Sequence, residues 1–186
     1  MQEHLIIDCM RIPYLVLLIL LSSEALAQLY KSSGGEIRFF SEAPLEDIEA
    51  TSTEAGSIFD SGTGDIVFSI PMSSFQFDKS LMQSHFNDQY VESDKYPKSK
   101  FKGNIKGFDR SKDGKQNVSC AGELTIHGVI QNVSADGTIL FKNGKVEIES
   151  VFNLTVEDFD IEIPKLLWQN IAEVVEVTVS LEYKEL

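Results

Sequence analysis

Cysteine is nearly absent from this chain: its 186 residues carry two, Cys9 and Cys120. Cys9 falls in an N-terminal segment that reads as a leader, so the domain keeps Cys120 alone. No internal disulfide can then staple the fold, and zinc lacks a second thiolate. Cys120 lies in a strand-like run and is expected to behave as a small buried hydrophobe. Histidine is equally scarce, with His85 and His127 the pair beyond the leader and no H-x-x-x-H or H-E-x-x-H spacing. No G-x-S-x-G elbow or G-x-x-x-x-G-K loop occurs, which removes the usual serine-hydrolase and phosphate-cradling chemistries. Adjacent carboxylates such as Glu157-Asp158 would point to opposite faces of a strand and read as solvated charge. Basic charge is also short: 16 Lys and Arg stand against 29 Asp and Glu, for a net charge of -13. That balance favours solubility and disfavours nucleic acid or an anionic membrane surface as partner.

Long apolar runs are missing too, apart from residues 12–21. That run falls short of the roughly 20 residues needed to cross a bilayer, so stable membrane insertion is not expected. Arg11 precedes it, and Ser22-Ser23-Glu24 and Ala25-Leu26-Ala27 follow it, the layout of a signal peptide cleaved between Ala27 and Gln28. Met10 offers an alternative start. Residues 1–27 are therefore set apart as a signal peptide and 28–186 as one domain, expected in the periplasm or outside the cell.

What the domain has in abundance is period-two alternation. Ile66, Phe68 and Ile70 share one face, as do Phe101, Gly103 and Ile105, and Leu124 and Ile126. The pattern continues through Val133, Ala135, Gly137, Ile139 and Phe141, then Val146, Ile148, Phe152, Leu154 and Val156, then Val175, Val177, Val179, Leu181 and Tyr183. Such runs are strands with one dry face and one wet face. Weaker candidates lie at 37–40 and 48–53. Turn-forming stretches at 60–64, 109–114 and Asn143-Gly144 separate the runs, and Asn-Gly is a strong hairpin cue. Helical signal is confined to 79–87 and, less clearly, 165–172. Absence of a strand–helix–strand rhythm argues against a parallel sheet. About eight strands in an all-β, antiparallel barrel or sandwich result. Periodicity leaves open whether the dry faces enclose a cavity or fill a core.

Three segments carry a resemblance. Phe75-Gln76-Phe77, Leu81 to Asn87 and Glu92-Ser93-Asp94-Lys95-Tyr96-Pro97 with Phe101-Lys102-Gly103 form the first. Gly122-Glu123-Leu124-Thr125-Ile126-His127-Gly128-Val129 is the second, and Asp158-Phe159-Asp160-Ile161 with Ile163-Pro164 the third. In this order they resemble the YceI-like family of exported, polyisoprenoid-binding proteins, in a version like that of Bacteroidetes. The resemblance implies an eight-stranded antiparallel, lipocalin-like β-barrel with a short helical insert, holding an apolar lipid and needing no cofactor. No catalytic residue is nominated. The expected ligand-binding residues are the inward Phe68, Ile70, Phe101, Leu124, Ile126, Ile139, Phe141 and Phe152, with Met82 and Phe86 of the insert at the mouth. Pairing of two barrels is left open. Two other readings stand beside this one: a solid-cored barrel acting as a stress or surface interaction protein, and a metal-assisted enzyme built on His85 and His127.

Overall fold

The computed structural model describes residues 28–42, 47–162 and 173–186. The expected signal peptide, 1–27, and the expected helix at 165–172 lie outside these residues. Ten strands follow in order: β1 Leu29–Ser41, β2 Ile48–Ser52, β3 Gly56–Asp60, β4 Asp65–Pro71, β5 Gln76–Phe77, β6 Lys98–Lys106, β7 Gly114–Ile126, β8 Val129–Lys142, β9 Lys145–Thr155 and β10 Val174–Glu185. Between β5 and β6 stands one short helix, α1 Ser80–His85, continued by a π-helical turn at Phe86–Tyr90.

All pairings are antiparallel, and they close on themselves. Neighbours run β1, β3, β4, β6, β7, β8, β9, β10 and back to β1, so eight strands make a closed barrel. Closure follows from β1, whose 13 residues pair with β10 along Tyr30↔Glu185 to Phe40↔Glu176. On its other edge β1 pairs with β3 near its start and with β2 near its end. Thus β2 and β3 act as one strand interrupted at 53–55. Beyond them β5 extends the sheet by pairing with β2.

Two hairpins show local sequence setting the register. Asn143 and Gly144 both adopt positive φ (52° and 72°) between β8 and β9, as do His127 and Gly128 (52° and 80°) between β7 and β8. Positive φ at both central residues defines the two-residue turn whose twist matches the flanking strands. The Asn-Gly hairpin was expected from sequence. His127-Gly128 continues the period-two pattern of Leu124 and Ile126 in sequence, yet in the structure it is the turn itself. Here the left-handed histidine is held by side-chain bonds rather than by backbone preference.

Along each strand one face turns inward. β10 carries Val177, Val179, Leu181 and Tyr183 toward the core, and β9 carries Val146, Ile148, Phe152 and Leu154. The interior has two halves. At the end holding the β3–β4 and β8–β9 turns it is solid: Phe59, Ile139 and Val146 are fully buried, and Phe59 packs its ring against Phe108 (5.6 Å) and Tyr183 (6.4 Å). The opposite half, beneath α1, is hollow.

Candidate ligand cavity

A cavity of about 700 Å³ occupies that upper half, within the roughly 300–1,000 Å³ typical of small-molecule sites. Eight of the ten residues expected to contact a ligand line it: Phe68, Ile70, Phe101, Leu124, Ile126 and Phe152 from the strands, Met82 and Phe86 from the insert. Phe68 and Phe101 face each other on β4 and β6 with ring centroids 4.9 Å apart. Ile139 and Phe141 do not reach the cavity. Both lie on the same dry face of β8, but nearer the β8–β9 turn, where Phe141 packs on Phe108 (5.9 Å) and helps to close the barrel floor. Alternation tells inside from outside; it says nothing of depth along the barrel axis.

Sequence reasoning passed over part of the wall. Ile37 and Phe39 come from the weakly patterned β1, Met72, Phe75 and Phe77 from the bend after β4, and Val177 and Val179 from β10. The β10 residues could have been nominated from the alternation already seen there. The others sit in short or broken strands where no period accumulates.

The insert is anchored by an aromatic cluster. Phe86 lies 5.1 Å from Phe77, 5.5 Å from Phe39 and 5.8 Å from Phe75, ring centroid to ring centroid. Offset and edge-on pairs of this kind add to the burial of large apolar surface. Leu81, by contrast, is 65% exposed at the rim. Phe86 thus holds the insert in place as well as lining the cavity.

Several hydroxyls in the wall are occupied by the protein itself. The Ser99 hydroxyl donates to the Thr125 carbonyl (3.0 Å), and that of Ser150 to the Asp136 carbonyl (2.7 Å). Lower down, Ser57 donates to the Val67 carbonyl (2.9 Å), so the 2.7 Å contact between Ser57 and Tyr183 has the tyrosine hydroxyl as donor. Desolvation drives the Tyr183 pKa up to about 12. Burial likewise pushes the Cys120 thiol, also on the wall, up to about 11; as a neutral thiol it is a poor nucleophile, in keeping with the small-hydrophobe reading. With these hydroxyls bonded within the protein, this part of the wall offers an apolar guest contact area and little else. Lys79, His85 and Tyr90 add polar side chains to the lining at the insert.

His85 therefore faces the cavity and His127 does not. The His127 ring lies beside the rim with 13% of its side chain exposed. Its Nε2 is 2.8 Å from a Glu92 carboxylate oxygen and its Nδ1 3.2 Å from the Phe159 carbonyl, while Tyr96 packs edge-on at 4.7 Å. The bond from His127 holds the Glu92 carboxyl below the usual carboxylate range, with Lys95 assisting. This knot ties the β7–β8 turn to the chain after the insert and to the 3₁₀ turn at Val156–Phe159. It joins three segments of the rim rather than bringing His127 to His85. Among the described residues no group of three or more His, Cys, Asp and Glu is placed to hold a metal ion.

One more feature shapes the wall. The β8–β9 ladder runs only from Gly137↔Ser150 to Lys142↔Lys145. Above it the strands part, and the cavity is lined on both sides of the seam by Val133, Ala135, Phe152 and Leu154.

The model of the YceI-like domain matches residues 32–183, nearly all of the described barrel. The chain belongs to the YceI-like family. Among solved structures, this YceI-like chain is similar to a polyisoprenoid binding domain from Saccharophagus degradans, with a TM-score of 0.72 and 14% identity, covering 84% of this chain and 98% of that one. BcnA of Burkholderia cenocepacia gives a TM-score of 0.67 at 17% identity over 80% of this chain and 95% of its own. A Campylobacter jejuni YceI protein gives 0.55 at 17% identity over 67% and 75%. At such identities the likeness establishes the barrel fold. Comparison with curated proteins gives no match.

Proposed function

We propose that this YceI-like barrel binds and carries an apolar lipid, a polyisoprenoid or a molecule of similar form, and performs no chemistry on it. The observation that carries the reading is the cavity itself: about 700 Å³ of space walled mostly by aliphatic and aromatic side chains, with the Ser99, Ser150 and Tyr183 hydroxyls bonded within the protein. Transfer of apolar surface from water contributes roughly 25 cal/mol per Å², so a hydrocarbon chain needs no charged partner to be held there. Any polar end of the guest would sit at the insert beside His85 and Tyr90. Membership of the family and the likeness to a polyisoprenoid binding domain support this class of guest.

Export belongs to the same proposal: a lipid carrier with the leader described above would work in the periplasm or outside the cell after cleavage between Ala27 and Gln28. Mass spectrometry of organic extracts from freshly purified protein tests the cargo reading. A recurrent long-chain apolar species, near one per chain, is the expected result. Repeated extracts free of any such species would overturn it.

A further inference from the structure

The acidic balance of the whole chain hides a basic face. On β6 the outward positions are Lys98, Lys100, Lys102, Asn104 and Lys106, spaced two residues apart, about 7 Å from one to the next. All four lysines are exposed, and among the described residues none of them stands in an ion pair. Register continues the face sideways: Lys102 lies opposite Val67 of β4, Val67 opposite Ile58 of β3, and Ile58 opposite Lys31 of β1. Ile58 and Val67 are 40% and 42% exposed, and with Lys31, Lys100 and Lys102 they line a shallow groove on the outer wall. The acids beside this face are Asp60, which accepts from the Gly62 and Thr63 N–H groups, Asp65, already bonded by Asn104, and Glu123, in register with Lys102. Five lysines thus outnumber three carboxylates here, in a chain whose net charge is -13.

We propose that this face docks the barrel on an anionic lipid bilayer. Screening confines each charge to about 8 Å at physiological ionic strength, so the acidic remainder of the barrel acts weakly on a surface that touches β6. Lysine stems lie along apolar surface while their ammonium groups reach phosphates, and two exposed aliphatic residues between lysines suit the headgroup boundary. No aromatic side chain stands on the face to stack bases. The row begins at Lys98, the end of β6 next to the insert, so docking would set the cavity rim close to the bilayer. The choice of a bilayer over a soluble polyanion rests in part on the cargo reading above.

The experiment is flotation of the full chain with vesicles of phosphatidylcholine alone or mixed with phosphatidylglycerol, at low and high salt. Binding is expected only with phosphatidylglycerol, weakened by salt, and reduced at least about tenfold by Lys100→Glu/Lys102→Glu. The control Lys142→Glu/Lys145→Glu, at the β8–β9 turn, should bind as before. Equal binding to both vesicle types, no loss in the β6 variant, or equal loss in the control overturns the proposal. Polyphosphate displacing the protein as well as competing vesicles do would assign the face to a soluble polyanion and overturn the bilayer. Uptake of a fluorescent polyprenol by the same variants separates the two readings: unchanged uptake with lost flotation supports docking, whereas flotation without any uptake refutes the cargo and leaves docking standing.

Discussion

Tyr183 closes the lower end of the cavity with its hydroxyl bonded to Ser57 and its ring against Phe59. Its pKa of about 12, against an ordinary 10, has a consequence for stability. Below pH 10 the phenol is neutral whether the chain is folded or not. Above pH 10 the unfolded chain ionises first, so stability falls as pH rises from 10 and goes on falling until about 12. Two pKa units correspond to about 3 kcal/mol at most. Denaturant titrations at pH 9 and pH 12 should show this loss, and Tyr183→Phe should remove that part of it. An equal pH dependence in the variant would contradict the assignment. Cys120 offers a second probe at this scale. With its pKa raised to about 11 by burial, it should react slowly with small thiol reagents near neutral pH. Because it lines the cavity, a bound polyprenol should slow the reaction further, at least about threefold by intact-mass kinetics. Labelling at an unchanged rate in saturating lipid would place the guest elsewhere.

At the scale of elements, the turn and the insert make separate demands. Gly128 and Gly144 hold the same left-handed position in their hairpins, but a Cβ on Gly128 would lie 2.6 Å from the Tyr96 ring, while one on Gly144 meets nothing within 4 Å. Gly144→Ala should therefore cost about 1 kcal/mol from backbone strain alone, and Gly128→Ala about 2 kcal/mol or more, with the rim knot loosened as well. Comparison of the two midpoints in denaturant checks the order; equal costs would show that Tyr96 yields freely. For the insert, sequence suggested Met82 and Phe86 as a matched pair at the mouth. The four-ring cluster around Phe86 divides them. Phe86→Ser should lower stability by about 2 kcal/mol or more, whereas Leu81→Ser/Met82→Ser should shift it little and weaken lipid retention about tenfold. Stability lost in the Leu81/Met82 variant with lipid content unchanged would make the helix a plug. The limits of sequence reading are visible here. Regular alternation on β8, β9 and β10 made those strands and their inward faces legible. β1 was legible only at 37–40, because Ser32, Ser33, Gly34 and Gly35 break its period at a shift of register, and its place is fixed by pairing with β10, almost 150 residues away. β3 went unnoticed because five residues are too few to show a period. The Phe86 cluster draws on three separate segments, β1, residues 75–77 and the insert, and no local pattern encodes such a meeting.

For the whole molecule, the division of the barrel into a solid half and a hollow half is the central feature. The solid half gives the barrel a packed core and leaves the hollow half free of structural duty. Were the cavity merely unfilled core, filling it would stabilise the protein and change nothing else. Ala135, on the cavity wall of β8, separates these cases. The decisive measurement is native mass spectrometry of the wild-type chain and of Ala135→Phe after incubation with a long-chain polyprenol. A single, saturable polyprenol per chain in the wild type, with occupancy reduced at least about tenfold in a variant that keeps its barrel by circular dichroism, is the predicted result. Failure of the wild type to take up a polyprenol, or undiminished occupancy in Ala135→Phe, would contradict a lipid held inside the barrel.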